Sequence, residues 1–192
     1  VLYDVFDFIE AASDNHHRIF IHCSQGVSRS TTLAIAYRMW KEERTYEDIF
    51  TEVKQMRGVA NPNIGFICQL MQWYKRRHED SATVTLYRIA PQSPSAPLYL
   101  VPKSVSKPQR SSLDSRGAFV LYHQAAPITM NSTNEQTRES MLYIWIGNAC
   151  PQDFITAAEH FAHQLHVYEG APSEPILVHQ GQESEDFWST IE

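Results

Sequence analysis

An α/β chain in two parts is what the sequence predicts, on three observations. Residues 18–22 (Arg-Ile-Phe-Ile-His) are a short apolar run followed by a polar loop and a stretch of helical periodicity, a strand–loop–helix order. Up to residue 77 the remaining apolar residues recur at helical spacing, whereas beyond His78 they alternate as in strands. Residues 79–83 between the two patterns are polar and read as a linker, giving domains at 1–78 and 84–192.

Each element has its own signal. Val1, Val5, Phe8, Ile9 and Ala12 fall on one helical face, with Asp4, Asp7 and Glu10 between them, so the chain begins inside a helix. Ser13, Asp14 and Asn15 break it. The run at 18–22 is short and apolar, as a buried strand is. Residues 23–28 form a tight loop around Gly26, and the helix of residues 30–43 would turn Leu33, Ala36, Tyr37 and Trp40 inward. Thr45 and Asp48 form a capping box opening a helix to about Arg57. Residues 58–63 are a loop with two breakers, and a helix over 64–77 ends on Lys75, Arg76 and Arg77, where cations suit the dipole. In the second part, strands are expected at 84–89, 98–101, 117–122 and 142–146, with Pro91-Gln92-Ser93-Pro94 as a loop. A helix over 152–166 would turn Phe154, Ala157, Ala158, Phe161 and Leu165 inward.

Composition sets outer limits. Apolar residues make up 43% and charged residues 20%, which supports a packed core. The net charge of −6 makes the chain a poor general binder of nucleic acid or anionic membrane, so any phosphate site must be made locally. No apolar run approaches the ~20 residues that span a bilayer. Acidic residues stand where a secretory signal would be basic. Cys23, Cys68 and Cys150 are odd in number and widely spaced, which fits neither a disulfide framework nor a zinc site. A reducing, cytoplasmic setting is expected, and a nuclear one is compatible. Cys68 is expected in the core and Cys150 in a turn.

The chemistry concentrates at His22-Cys23-Ser24-Gln25-Gly26-Val27-Ser28-Arg29-Ser30. A loop entering a helix N-terminus aims several backbone N–H groups at one point, and the helix dipole favours an anion there. Arg29 adds a planar fork of donors matched to phosphate oxygens. Cys23 sits at the base of the same cradle, so the field that holds the anion also stabilises its thiolate. A thiolate beside a phosphate monoester can attack phosphorus and form a phosphocysteine. The loop amides of Ser24, Gln25, Gly26, Val27 and Ser28, with Arg29, would hold the charge of the transition state. Ser30 can donate to the departing sulfur, Gly26 lets the backbone turn, and His22 supports Cys23. At this chain's composition, an accidental match to His-Cys-x-x-Gly-x-x-Arg-Ser has odds on the order of 3 in 100,000.

These residues resemble the dual-specificity branch of the protein tyrosine phosphatases. A second block agrees, from Arg57 through Asn61-Pro62-Asn63-Ile64-Gly65-Phe66 to Gln69-Leu70. The resemblance covers residues 1–78. It implies the C-terminal half of a cysteine-phosphatase domain, with a central parallel sheet flanked by helices, that hydrolyses phosphotyrosine and phosphoserine/threonine in proteins without a metal or cofactor. The uncharged Ser24, Gln25, Val27 and Ser28 favour a phosphoprotein over a phosphoinositide. The family's general-acid Asp and the partner strands of residues 18–22 lie upstream of Val1. Asp4 and Asp7 belong to the preceding helix, so the chain reads as N-terminally truncated and its first part as poorly stable alone.

The second part resembles an α/β gelsolin-like domain. The pieces are residues 86–89, 113–121 and 142–147, the helix from Gln152, and Glu183-Ser184-Glu185-Asp186-Phe187-Trp188. Together the halves resemble the plant mitogen-activated protein kinase phosphatases that carry such a domain. That implies a phosphorylated mitogen-activated protein kinase as substrate and a protein partner for the second domain. Gly117 stands where such modules commonly place an acidic calcium ligand, which argues against a calcium site. Glu159 reads as a solvated helix residue, and Trp145 and Trp188 as core. Two other readings stay open: a phosphoprotein-binding module without turnover, and an actin or cytoskeletal module.

Overall fold

The computed structural model describes residues 2–78, 83–125 and 139–191. The chain divides into two compact units, Val1–Glu79 and Asp80–Glu192. Residues 79–82 of the expected linker lie outside the described residues, and Thr83 already belongs to the second unit's first strand.

The first unit holds four helices: α1 (Leu2–Asp14), α2 (Arg29–Glu42), α3 (Tyr46–Met56) and α4 (Ile64–Arg77). Their apolar stripes meet in an aromatic cluster. Phe6 of α1 is fully buried, stacks on Trp40 of α2 and meets Trp73 of α4 edge-on. Trp73 Nε1 donates to Tyr3 Oη at 2.9 Å, so the indole is buried with its polar atom satisfied. A second layer, Ile35 and Met39 of α2 with Ile49 and Val53 of α3, closes the core. Thr45 Oγ1 accepts Asp48 N at 3.3 Å, so the capping box opens α3 as its residues dictate.

Four expectations for this unit are corrected. Residues 18–22 run without sheet pairing, since a strand needs a ladder partner and the described residues of this unit contain none. Phe20 is therefore 85% exposed. In α1 the buried face is Tyr3, Phe6 and Ile9, leaving Phe8 outside, because the aromatic cluster draws in the Tyr3–Phe6 phase. In α2 the buried apolar positions are Ile35, Ala36 and Met39, and Leu33, Tyr37 and Trp40 are only half-buried. Cys68 is exposed: the buried positions of α4 are Leu70 and Trp73, and Cys68, two residues before Leu70, projects about 200° around the helix.

Among its described residues the second unit forms a five-stranded mixed sheet in the order β2-β1-β3-β4-β5. Its strands are β1 (Thr83–Ser93), β2 (Ala96–Val105), β3 (Ala118–Gln124), β4 (Met141–Ile146) and β5 (Ile176–His179). All pairs are antiparallel except β4 with β5. Helices α5 (Gln152–Glu169) and α6 (Glu185–Ile191) cover opposite faces. Side-chain alternation sends Leu86, Phe119, Leu121, Tyr143 and Trp145 to the α6 face, where Phe187 and Ile191 join them. Tyr87 faces the other way and meets Phe161 of α5 edge-on at 4.9 Å. With both faces covered, Ala118 through His123 are buried without a break, as the apolar run suggests.

Pro91 and Gln92, expected in a loop, lie within β1, which continues to Ser93 with a register shift between Pro91 and Ser93. A proline is tolerated there because the shift breaks the ladder. Trp145 is buried and Trp188 packs on the same core, both as expected. Glu159 is exposed on α5, and Cys150 closes a turn through Cys150 N to Gly147 O at 3.0 Å.

Candidate active site

The loop of residues 23–28 enters α2 in the first unit, and its conformation follows from a few bonds. Gly26 has φ +65°, a left-handed value that glycine adopts at little cost. The turn it makes brings Gly26 N to 3.2 Å from Cys23 Sγ, donating to the sulfur. Ser30 Oγ, from the first turn of α2, lies 3.3 Å from the same sulfur. Once Cys23 is a thiolate, that hydroxyl must be the donor.

The Cys23 pKa is pulled down from its ordinary 9.0 to about 6. The Ser30 hydroxyl is the largest cause, then the Ser30 N–H; burial opposes them, and the Gln25 and Gly26 N–H groups lower it by smaller amounts. Burial pushes Cys150 the other way. The Cys23 and Cys150 thiols thus differ in kind, and Cys23 is held in an activating environment.

Arg29 bridges the loop's ends: its Nη2 donates to Ser24 Oγ at 2.8 Å, with the guanidinium open to solvent. Gln25 is exposed and lines the cleft over Cys23. Val27 is half-buried, and its carbonyl accepts from Thr31 Oγ1 at 2.6 Å and from Asn61 N at 2.8 Å. Ser28, the residue before α2, makes no side-chain cap; its Oγ accepts Asn63 N at 3.0 Å instead. His22 is exposed and stacks on Phe20 at 5.5 Å between ring centroids. The cleft, about 450 Å³, is lined by residues including Cys23, Gln25, Gly26, Ser30, Thr31 and Arg57. Those lining residues include no carboxylate; Asp4 and Asp7 belong to α1.

The sequence names the loop but not what holds it. Arg57 Nε donates to Gly26 O at 2.9 Å from 31 residues away. Thr31 and Thr32 hydroxyls bond the Ser28 carbonyl at 2.8 Å each. A periodicity reading sees Thr31 and Thr32 as helix positions and Arg57 as a helix end. The hint available is that Arg57 through Asn63 form a second motif with no chemistry of its own.

Residues 1–76 match the family described as dual specificity phosphatase, catalytic domain. The protein-tyrosine-phosphatase MKP1 of Arabidopsis thaliana is 40% identical over 195 residues, covering 100% of this chain and 23% of the relative. A probable rhodanese domain-containing dual specificity protein phosphatase of Dictyostelium discoideum is 45% identical over 69 residues, 36% of this chain and 14% of the relative. Human dual specificity protein phosphatase 4 is 33% identical over 122 residues, 64% of this chain and 30% of the relative. The chain spans less than a third of the length of each of these relatives. Among solved structures, the crystal structure of the Thorarchaeota 2DGel3/rabbit actin complex is similar with a TM-score of 0.40 and 15% identity, over 57% of this chain and 45% of that one.

Proposed function

Since residues 1–76 match the dual specificity phosphatase catalytic domain, we propose that this chain hydrolyses phosphate monoesters on proteins through a phosphocysteine at Cys23. The observation that carries this is the environment of one sulfur: Gly26 N–H at 3.2 Å, Ser30 Oγ at 3.3 Å and a pKa brought down to about 6. A thiol of that kind is largely ionised at neutral pH, and only the ionised form attacks phosphorus. The helix N-terminus and Arg29 supply the fixed positive field for the three equatorial oxygens. Ser30 then donates to the sulfur as it leaves in the hydrolysis of the intermediate.

The substrate we infer is a phosphorylated mitogen-activated protein kinase. It is supported by the resemblance of both halves to plant phosphatases of such kinases and by the whole-chain similarity to the Arabidopsis relative. For the second unit we infer a gelsolin-like module that docks a protein partner, supported by its mixed sheet covered by α5 on one face and α6 on the other.

A second reading has one observation behind it: the cleft's lining includes no carboxylate to protonate a leaving oxygen. General acid catalysis typically contributes about 10²–10⁴-fold, so alkyl phosphates would be poor substrates and the site would bind more than it turns over. Single-turnover reaction of an activated aryl phosphate with this chain, beside Cys23→Ser, separates the two. A trapped phosphocysteine absent from the variant supports covalent catalysis. Bound phosphate analogues with no trapped intermediate support the binding module.

A further inference from the structure

A planar trans peptide sets its C=O and N–H antiparallel. In a loop that cradles an anion, each carbonyl held on the outside therefore aims the next residue's N–H inside. Val27 O is held by Asn61 N and Thr31 Oγ1, and Ser28 O by Thr32 N and the Thr31 and Thr32 hydroxyls. These holders are backbone groups or short side chains on α2 and the turn before α4. Gly26 O is held differently, by the end of a long side chain, Arg57 Nε at 2.9 Å. It is also the carbonyl with most freedom to swing, because Gly26 lacks a Cβ and has φ +65°.

Arg57 is itself anchored at the end of α3, its N–H on Val53 O and its C=O on Ala60 N, both at 2.8 Å. Its guanidinium reaches Gly26 with Nη2 foremost, so that a Cβ built there would stand 2.5 Å from Nη2. Among the described residues it forms no ion pair that would explain its placement. We propose that Arg57 is a positioning residue of the phosphate loop: it locks the Gly26–Val27 peptide so that the Val27 N–H faces the bound phosphate. This rests on the phosphate-binding reading of the loop. The peptide carrying the Gly26 N–H lies one unit earlier, so the thiolate's own donors do not depend on Arg57.

The test is protection of Cys23 from iodoacetamide by inorganic phosphate, measured on the full chain. Arg57→Ala is expected to weaken protection about tenfold or more, the scale of one lost charge-assisted hydrogen bond. Arg57→Lys keeps the charge but lacks the fixed Nε–H, and is expected to recover less than half of that loss on a logarithmic scale. Without phosphate, the inflection of alkylation with pH is expected to stay within about half a unit of the wild type in both variants, since Gly26 N–H and Ser30 remain. Unchanged protection in Arg57→Ala overturns the proposal. Full rescue by lysine overturns it too, in favour of simple charge. An inflection that returns to an ordinary thiol value in both variants makes Arg57 a general structural support and overturns it as well. If phosphate fails to protect even the wild-type chain, the phosphate-binding reading falls together with the proposal.

Discussion

Ser28 Oγ accepts the backbone N–H of Asn63 at 3.0 Å, joining residues 35 apart in the chain. Ser28 precedes α2, where a serine ordinarily caps its own helix, yet its side chain makes no such bond. Asn63 in turn caps α4, its Oδ1 accepting Phe66 N at 2.9 Å. The loop of residues 23–28 and the start of α4 are therefore one hydrogen-bonded unit, and the two side chains at its joint do different jobs.

Substitution at the joint should separate those jobs. Ser28→Ala strands the Asn63 N–H and removes a loop contact, and is expected to cost about 1 kcal/mol. Asn63→Ala removes the α4 cap, also about 1 kcal/mol, but keeps the N–H that reaches Ser28. Both should lower the urea midpoint, while only Ser28→Ala should change phosphate protection of Cys23. Equal changes in protection from the two variants would mean the loop does not depend on this bond.

The depressed thiol fixes a pH window. With the folded pKa near 6 and an ordinary value of 9.0, the native state favours the thiolate. That contribution to stability is fully present above pH 9 and is lost as pH falls through 6. Iodoacetamide should modify Cys23 with an inflection near pH 6, well below Cys150, whose thiol is pushed up by burial. Ser30→Ala removes the largest cause and should raise the inflection. An inflection unmoved by Ser30→Ala would assign the effect to the loop amides alone.

The elements that the sequence makes legible are those whose signal is local. The Thr45–Asp48 cap, the buried run of β3 and the span of α5 each follow from adjacent residues or one period. The loop of residues 23–28 is legible because the chemistry proposed for it needs fixed residue types at fixed spacing. Helix phase is less so: α1 offers both Val5–Phe8 and Tyr3–Phe6 stripes, and only the packing of Trp40 and Trp73 against Phe6 chooses. Cys68 is misjudged for the same reason. The strand expected at residues 18–22 depends on a pairing partner, which no local pattern supplies. Strand β5, four residues bounded by Pro175, carries too short a period to stand out. Arg57 and Asn63 act over 31 and 35 residues, a range that no periodicity reports.

Gly26 combines two constraints, a φ of +65° and Arg57 Nη2 at 2.5 Å from where a Cβ would be. The first alone costs about 1–2 kcal/mol for an alanine. Gly26→Ala should therefore lower stability and displace Arg57, with phosphate protection falling at least as far as in Arg57→Ala. In the double variant Gly26→Ala/Arg57→Ala the steric part is relieved, so the combined loss in stability should be less than additive. Strict additivity in urea unfolding would show that the two residues do not meet.

Gly147 tests the second unit through backbone alone. A Cβ there would lie 2.2 Å from Ser115 O, at the end of β4 where Gly147 N donates to Gly117 O and Ala149 N to Ser115 O. The clash is with the main chain of Ser115, so no side chain can give way. Gly147→Ala should cost about 3 kcal/mol. Gly58, with nothing within 4 Å of its would-be Cβ, is the control, and its alanine variant should stay within about 0.5 kcal/mol of the wild type. Each unit has its own buried core, so the loss at Gly147 should appear in the unfolding of the Phe119, Trp145 and Phe187 cluster while Cys23 alkylation keeps its inflection near pH 6. Loss of Cys23 reactivity in step with that cluster would show that the first unit needs the second to fold.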